Sequence, residues 1–467
     1  MYLQRPFDHV VTFRNSQGES ARGSLTSLQR RSLVMEIYNP YSIVQVSEVL
    51  SALTIRSGER IIYDGKAVVV SLLNTGLMAV VSVALIDEWS DLNAIRGDIS
   101  QVRGEAERFV SDWEGRFRIR QSYQVMISEF RAFLADTARW ADQADLSSFL
   151  PREADGRIRA DVFDELSAPI MEKSAEYLVW LEDEGPRVPL EDSVAHRNFA
   201  QTSLHPLMLR APFVYRTFTK PLGYAGDYEM VNQILGDPRQ GPNTYFQIVN
   251  AAFLKAGVAQ AHRNRIDILV ESLLQVAQQA RREGRQARVL NVGCGPAVEI
   301  RRFIAQDENP DSIAFTLMDF SEPTIEYTRS KIAEAARETG RRVQVEFVKE
   351  SVHDLLKRTS RQAPVPESES LDFVYCAGLF DYLSDKVCSR LLRYFVSRAQ
   401  AGGRVLVTNV HSNNLQKTLM EHLLEWHLIY RDEVGLESVL PPERQDTSIY
   451  TDATGLNVFA EFRVPTI

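Results

Sequence analysis

Two glycines and an acid carry the first chemical signal in this chain. In Arg288-Val-Leu-Asn-Val-Gly-Cys-Gly-Pro-Ala-Val-Glu-Ile300, an apolar run breaks at Gly293-Cys294-Gly295-Pro296 and resumes with the helical spacing Val298, Ile300, Phe303, Ile304. A strand that turns on glycines into a helix opens a doubly wound sheet, with its ligand crevice at the strand's carboxyl end. Glycines there let a ligand lie against bare main chain. The next apolar run, Ile313–Asp319, closes on an acid placed to accept both hydroxyls of a ribose. The loop lacks the third glycine of a dinucleotide fingerprint, since Val298 stands in its place, and lacks the Lys-Ser/Thr of a phosphate loop. The expected ligand therefore has a ribose but no essential phosphate.

Val-Leu-Asn-Val-Gly-Cys-Gly-Pro (289–296) followed by Leu-Met-Asp-Phe-Ser (317–321) resembles motif I and the acidic loop of class I S-adenosylmethionine (SAM)-dependent methyltransferases. That resemblance implies SAM as cofactor and S-adenosylhomocysteine (SAH) as product. It places Asn291, Gly293, Cys294, Gly295, Asp319, Phe320, Ser351, Val352, Ala377 and Gly378 around them. Three further stretches, Pro-Leu-Gly-Tyr-Ala-Gly-Asp-Tyr (221–228), Ala-Gly-Leu-Phe-Asp-Tyr-Leu (377–383) and Asn-Val-His-Ser-Asn-Asn (409–414), are similar to a bacterial family that makes extracellular factor, 3-hydroxypalmitic acid methyl ester. This implies carboxyl O-methylation of a fatty-acyl or similar small carboxylate, giving a diffusible quorum-sensing ester.

A carboxylate is already ionised at pH 7, so its methylation needs no general base. It needs a group to hold the anion and an apolar wall for the chain. Candidates for the anion are Arg263, Arg265, His262, Tyr224 and His411. Tyr224, Arg263 and His411 are assigned to catalysis, and Tyr224, Tyr228, His262, Arg265 and Tyr382 to substrate binding. His411, just past the fifth strand, is the natural base if the acceptor is a hydroxyl or amine. Glu299 and Asp354 read as helix-side or adenine-side groups. Two other functions compete: a SAM enzyme acting on another acceptor, such as a protein side chain, and a nucleotide-responsive regulator with a vestigial SAM site. The intact Gly293/Gly295/Asp319 set weighs against the second.

The elements that would position these residues are legible in outline. Strands are expected at Val343–Val348, Leu371–Gly378, Gly402–Val410, Ser448–Thr451 and Asn457–Val464, completing a Rossmann-like seven-stranded α/β sheet over 286–467 whose last pair is a hairpin. Residues 186–285 read as a helical cap, with helices at Tyr245–Lys255 and Gln260–Ala280 and the 223–228 loop as part of a lid. Residues 89–185 show three- and four-residue apolar spacing, as in Ile95, Ile99, Val102, Ala106, Phe109 and Trp113, then Tyr123, Met126, Ile127, Phe130, Phe133 and Leu134. Such amphipathic helices are a candidate homodimer surface or linker, ending at Glu182–Pro189.

Residues 1–88 read as seven short strands with turns at Asn15–Gly18, Ser57-Gly58, Asp64-Gly65 and Asn74–Gly76, closing into a small barrel. In order and length they resemble a PilZ domain. The cyclic di-GMP-binding version needs an Arg-x-x-x-Arg arm and an Asp/Asn-x-Ser-x-x-Gly strand start. Leu25-Thr-Ser27-Leu-Gln-Arg30 lacks the acid or amide and the glycine, and Arg5 and Arg14 lack the arm's spacing. A barrel that does not bind cyclic di-GMP is expected. A net charge of −9 argues against a general nucleic-acid binder. Three cysteines without a C-x-x-C pair predict neither disulfides nor zinc. With no signal peptide or membrane span evident, a cytoplasmic protein is expected.

Overall fold

Alternation of buried and part-exposed residues along Ser32–Ile37 and Ala79–Leu85 is the mark of strands with one face on a core. In the computed structural model they are β3 and β6 of a closed barrel. Its other strands are β1 (His9–Arg14), β2 (Ser20–Gln29), β4 (Val49–Ser57) and β5 (Arg60–Asn74), in the order β1-β2-β3-β6-β5-β4. The structure describes residues 9–359 and 370–466, apart from 16–17, 19, 38–43, 45–46, 58–59, 75–78, 88, 90–102, 105, 108–109, 112–113, 115–117 and 225. The barrel interior is filled by side chains such as Val11, Phe13, Met35, Ile55, Tyr63 and Val83.

Among the described residues six strands form where seven were expected, because Asp64-Gly65 is not a turn. The runs Ile61–Tyr63 and Lys66–Asn74 join into the single strand β5. Gly65 serves close approach instead: a Cβ there would lie 2.7 Å from the Asp87 side chain. Beside it the Tyr63 hydroxyl donates to the Lys66 carbonyl at 2.6 Å and accepts from the Asp87 N–H. The expected helical residues Ile95, Ile99, Val102, Phe109 and Trp113, the Asn74–Gly76 turn beyond Asn74, and Arg5 lie outside the described residues.

The chain forms two compact units. The first comprises residues 1–121 with 188–199 and 216–225; the second comprises 122–187, 200–215 and 226–467. In the second unit, β7 (Ala287–Val292), β8 (Ile313–Asp319), β9 (Gln344–Lys349), β10 (Leu371–Cys376), β11 (Ala399–Val410), β12 (Gln445–Thr451) and β13 (Asn457–Arg463) make one sheet in the order β12-β13-β11-β10-β7-β8-β9. β13 is antiparallel to both neighbours, while the strands from β11 to β9 are parallel. The expected α/β methyltransferase sheet is thus present.

Both faces of the sheet are covered. Helices Gly257–Arg282, Val298–Gln306 and Glu322–Thr339 bury Leu273, Phe303 and Ile325 against Val289, Phe315 and Phe373. On the other face Val352–Thr359, Asp385–Arg398 and Glu433–Glu437 bury Leu355, Phe395 and Leu436 against Leu290, Val374 and Val405. This explains why the central strands read as continuous apolar runs rather than alternating ones. The direction of strand order reverses between β7 and β10, so the crevice falls at the ends of those two strands. Helices Gln121–Leu146 and Ala160–Glu184 pack through Phe130 stacked on Tyr177. Among the described residues no helix is long and apolar enough to cross a membrane.

The sheet-face core sets a stability test. Phe395→Ala removes a fully buried ring and is expected to cost about 3–5 kcal/mol in urea unfolding. Val434→Ala, at an exposed position, should stay within about 0.5 kcal/mol.

Candidate active site

The turn after β7 is fixed before any ligand arrives. The N–H groups of Gly293 and Cys294 both donate to the Met318 carbonyl, at 2.9 and 3.0 Å, tying the loop to β8. Gly293 and Gly295 have φ of 73° and 50°, values that favour glycine. A Cβ on Gly295 would meet nothing within 4 Å, so its backbone faces open space. Asp319 closes the turn: one carboxylate oxygen accepts from Gly295 N–H at 3.2 Å, the other from Ser321 N–H at 3.0 Å. Burial raises the Asp319 pKa, while those N–H groups hold it down. Next to it the Phe320 ring is half exposed. Bare glycine backbone, an acid with lone pairs to spare and an exposed aromatic ring are the parts a nucleoside needs. Ser351 caps the helix after β9 through a reciprocal bond with Asp354, leaving Val352 in its first turn. Burial pushes the Cys294 thiol far up, so it is inert at neutral pH.

At the crevice itself sits an isolated cation. Arg265, on helix Gly257–Arg282, is only 6% exposed, and its Nε and Nη1 are buried without a partner. Its guanidinium lies against Gly378 at the end of β10; a Cβ there would come within 2.9 Å of Nη1. Gly378 itself has φ of 91° and donates its N–H to the Thr408 hydroxyl. Glu299 and Asp381 are the acids that act on Arg265 electrostatically, without a direct ion pair. Glu299 accepts from the Tyr375 hydroxyl at 2.8 Å and from Asn291 Nδ2 at 3.2 Å, and burial raises its pKa. Asp381 accepts from the Val410 N–H at 2.6 Å through one oxygen. Burial pushes its pKa up to about 6, against the pull of that bond and of Arg265 and Arg431. Arg431 clamps the loop by donating to the carbonyls of Phe380 and Leu383, to Asn409 and to Asp385.

One turn earlier on the same helix, His262 lines a narrow apolar cavity of about 30 Å³ with Phe213, Phe253, Met420, Leu424 and Trp426. The cavity wall includes a π-helix, Leu419–Leu423, a form often found at functional sites. Side chains from the upstream helices hold its backbone. Glu182 accepts from the Thr418 and Leu419 N–H groups at 2.8 and 2.7 Å. Gln201 donates to the His422 carbonyl and His205 to that of Leu423. The Tyr123 hydroxyl meets His422 Nδ1 at 2.9 Å. Gly185 is so close to Thr418 that no side chain fits between them. Trp426 then bonds the Tyr382 hydroxyl through its indole N–H, joining the cavity wall to the loop after β10.

The structure thus brings Asn291, Gly293, Gly295, Asp319, Gly378, Arg265 and Tyr382 together at the strand ends. Three other candidates are engaged by bonds of their own. Arg263 donates to the carbonyls of Ile234 and Leu254, the last turns of two helices, and so is committed to capping. His411 Nδ1 accepts from the Asn413 N–H, which puts the proton on Nε2, donated to Glu433 at 3.0 Å. With both ring nitrogens occupied, His411 has no lone pair for a base. His262 bonds the Val258 carbonyl through Nδ1, and burial together with the Arg265 cation holds its pKa down to about 3. It is a neutral group rather than an anion anchor. Tyr228 stacks on Tyr327. Tyr224 is half buried in a segment of the first unit. Asp381 was not singled out from the sequence, although an acid directly after an apolar strand and before Tyr382-Leu383 was the available signal.

Residues 289–403 match the family model described as a methyltransferase domain. No curated protein matches the chain. Among matching solved structures, a possible exported protein from Bordetella parapertussis is 15% identical, with TM-score 0.41, covering 65% of this chain and 97% of that one. Magnesium protoporphyrin IX methyltransferase from Synechocystis PCC 6803 with bound SAH is 13% identical, with TM-score 0.36, covering 54% and 98%. An O-methyltransferase family protein from Burkholderia thailandensis is 13% identical, with TM-score 0.35, covering 71% and 82%. None of the three bears on what this chain acts upon. The domain match, the seven-stranded sheet and the glycine–acid turn define the class: this is a SAM-dependent methyltransferase. SAM is its cofactor.

Asp381 predicts a pH dependence with a definite sign. Its folded pKa of about 6 exceeds the ordinary 3.8, so the native state binds more protons between those values. Stability should fall as pH rises from about 4 to about 6 and stay level above. Protonation of Asp381 also removes the negative charge that shares Arg265. Affinity for a carboxylate ligand, measured by titration, should therefore rise as pH falls from 7.5 to 5.5. Asp381→Asn, which keeps the Val410 bond, should bind tightly and flatten both profiles.

Proposed function

We propose that this enzyme methylates the carboxylate of a 3-hydroxy fatty acid to give a methyl ester that serves as a diffusible signal. The observation that carries the reading is Arg265: a buried guanidinium with unpartnered nitrogens at the tip of β10, one turn from an apolar cavity. A charge so placed is expensive unless an anion meets it, and a fatty acid supplies an anion on an apolar chain. SAM would be held by the Gly293–Gly295 backbone, the Asp319 carboxylate and the Phe320 ring. When bound, it supplies a sulfonium methyl that leaves its sulfur for an acceptor oxygen, the bonding pair returning to sulfur, so a carboxylate acceptor needs no proton transfer.

The protein's share of the work is then positioning and exclusion of water. Arg265 holds the carboxylate, and the apolar side chains of Trp426, Met420 and Leu424 enclose the carbons next to it. The ester carries no charge, so it loses the Arg265 attraction and is released. Three free, buried cysteines fit a reducing, cytoplasmic setting.

The unbonded oxygen of Asp381 favours a second reading, a hydroxyl or amine acceptor with Asp381 as general base. The two separate cleanly. Asp381→Asn should leave carboxyl methylation within a few-fold, but would lower kcat by roughly 10²–10⁴ if a base is required.

Calorimetry with SAH should show binding in wild type and its loss in Asp319→Ala. Arg265→Met should keep SAH affinity within a few-fold and lower methyl ester formation from 3-hydroxyoctanoate, read by mass spectrometry, by roughly 100-fold or more, the scale of a lost buried charge contact. Turnover unchanged in Arg265→Met would overturn the carboxyl reading. Loss of SAH binding instead would assign Arg265 to the cofactor's own carboxylate.

A further inference from the structure

Residues three apart on a helix are neighbours on one face, and helix Gly257–Arg282 puts His262 and Arg265 in that relation. His262 is only 6% exposed. Its Nδ1 lies 2.8 Å from the Val258 carbonyl, an oxygen that can only accept, so the proton sits on Nδ1 and the lone pair on Nε2. Nε2 has no hydrogen bond to any described residue, and the ring borders the cavity walled by Phe213, Phe253, Met420, Leu424 and Trp426. Gln416, the other polar residue on that wall, is engaged, accepting from the Val258 N–H. Burial keeps the imidazole neutral at working pH. The cavity therefore presents an imidazole nitrogen with an unused lone pair in apolar surroundings, beside a cation. A carboxylate alone satisfies Arg265 and leaves Nε2 bare.

We propose that His262 is a specificity-determining residue, whose Nε2 accepts a hydrogen bond from a hydroxyl carried next to the acceptor's carboxylate while Arg265 holds the carboxylate. The inference rests on the carboxyl reading and deepens it. A site that hydrogen-bonds a substrate hydroxyl rejects the analogue lacking it strongly, because its own polar group is left unpaired. The cavity as it stands admits a hydroxyl and a methylene or two, about the volume of two waters. It therefore reads the head of the acid rather than the end of its chain.

Three probes separate the two halves of the site. Octanoate has the carboxylate alone, methyl 3-hydroxyoctanoate the hydroxyl alone, and 3-hydroxyoctanoate both. With ¹⁵N-histidine-labelled enzyme in its SAH complex, the Nε2 resonance of His262 should shift with both hydroxylated ligands and stay in place with octanoate. In turnover, wild type should prefer 3-hydroxyoctanoate over octanoate by roughly 100-fold or more. His262→Leu should bring the two within a few-fold at unchanged SAH affinity, and His262→Gln should restore part of the preference. An unchanged preference in His262→Leu, or an Nε2 resonance unmoved by the hydroxy ester, overturns the inference. If His262→Leu fails to bind SAH and so has not folded, the wild-type resonance decides. The outcomes also distinguish the two claims. Neither acid methylated while the hydroxy ester moves Nε2 would sink the carboxyl reading alone. Both acids methylated equally with Nε2 still would sink the His262 role alone.

Discussion

Removing a guanidinium from water without a bonded partner is among the costliest things a fold can do, and the end of this sheet is organised around one such group. Arg265 is sealed by its own helix and by Gly378, whose missing side chain is the space it occupies. The acids that offset it are held at a distance by other bonds, Glu299 to Tyr375 and Asn291, Asp381 to the Val410 N–H. Neither is free to swing over and neutralise it. The charge is balanced at range but unpaired at contact, which is the condition for an anion site rather than a structural salt bridge.

The second constraint is the irregular backbone beside it. A π-helix has poor intrahelical hydrogen bonding, and Leu419–Leu423 is supported from outside by Glu182, Gln201 and His205. Burial raises the Glu182 pKa, yet its two backbone bonds give the carboxylate a reason to be there. The helices before the sheet therefore shape the pocket without lining the cofactor turn. Pocket shape and cofactor geometry are set by different parts of the second unit, so one can vary while the other is kept.

What was legible in the sequence follows from range. The strands, the glycine turn and Asp319 were legible because their signals are local: apolar runs, φ-permissive residues and an acid at a strand end. The Asp64-Gly65 turn misled because Gly65 answers to Asp87, more than twenty residues away, and nothing near it says so. Arg263 and Arg265 could not be ranked from spacing, since two positions on a helix face opposite ways and only the fold says which way is in. His411 lost its lone pair to an N–H two residues on, a local bond that residue type alone does not reveal. Asp381 was hidden in plain view, because the loop that holds it is clamped by Arg431, about fifty residues further along.

The chain leaves its first unit after residue 121, returns at 188–199, and returns again at 216–225. Such a path has no single seam. A protease nicking the chain once could not release the barrel-bearing unit whole, and a recombination event could not import it as a cassette at one junction. A sequence change in either short returning segment is therefore a change to the barrel-bearing unit made within helices, Ser193–Met208 and Pro212–Thr219, that also belong to the second unit.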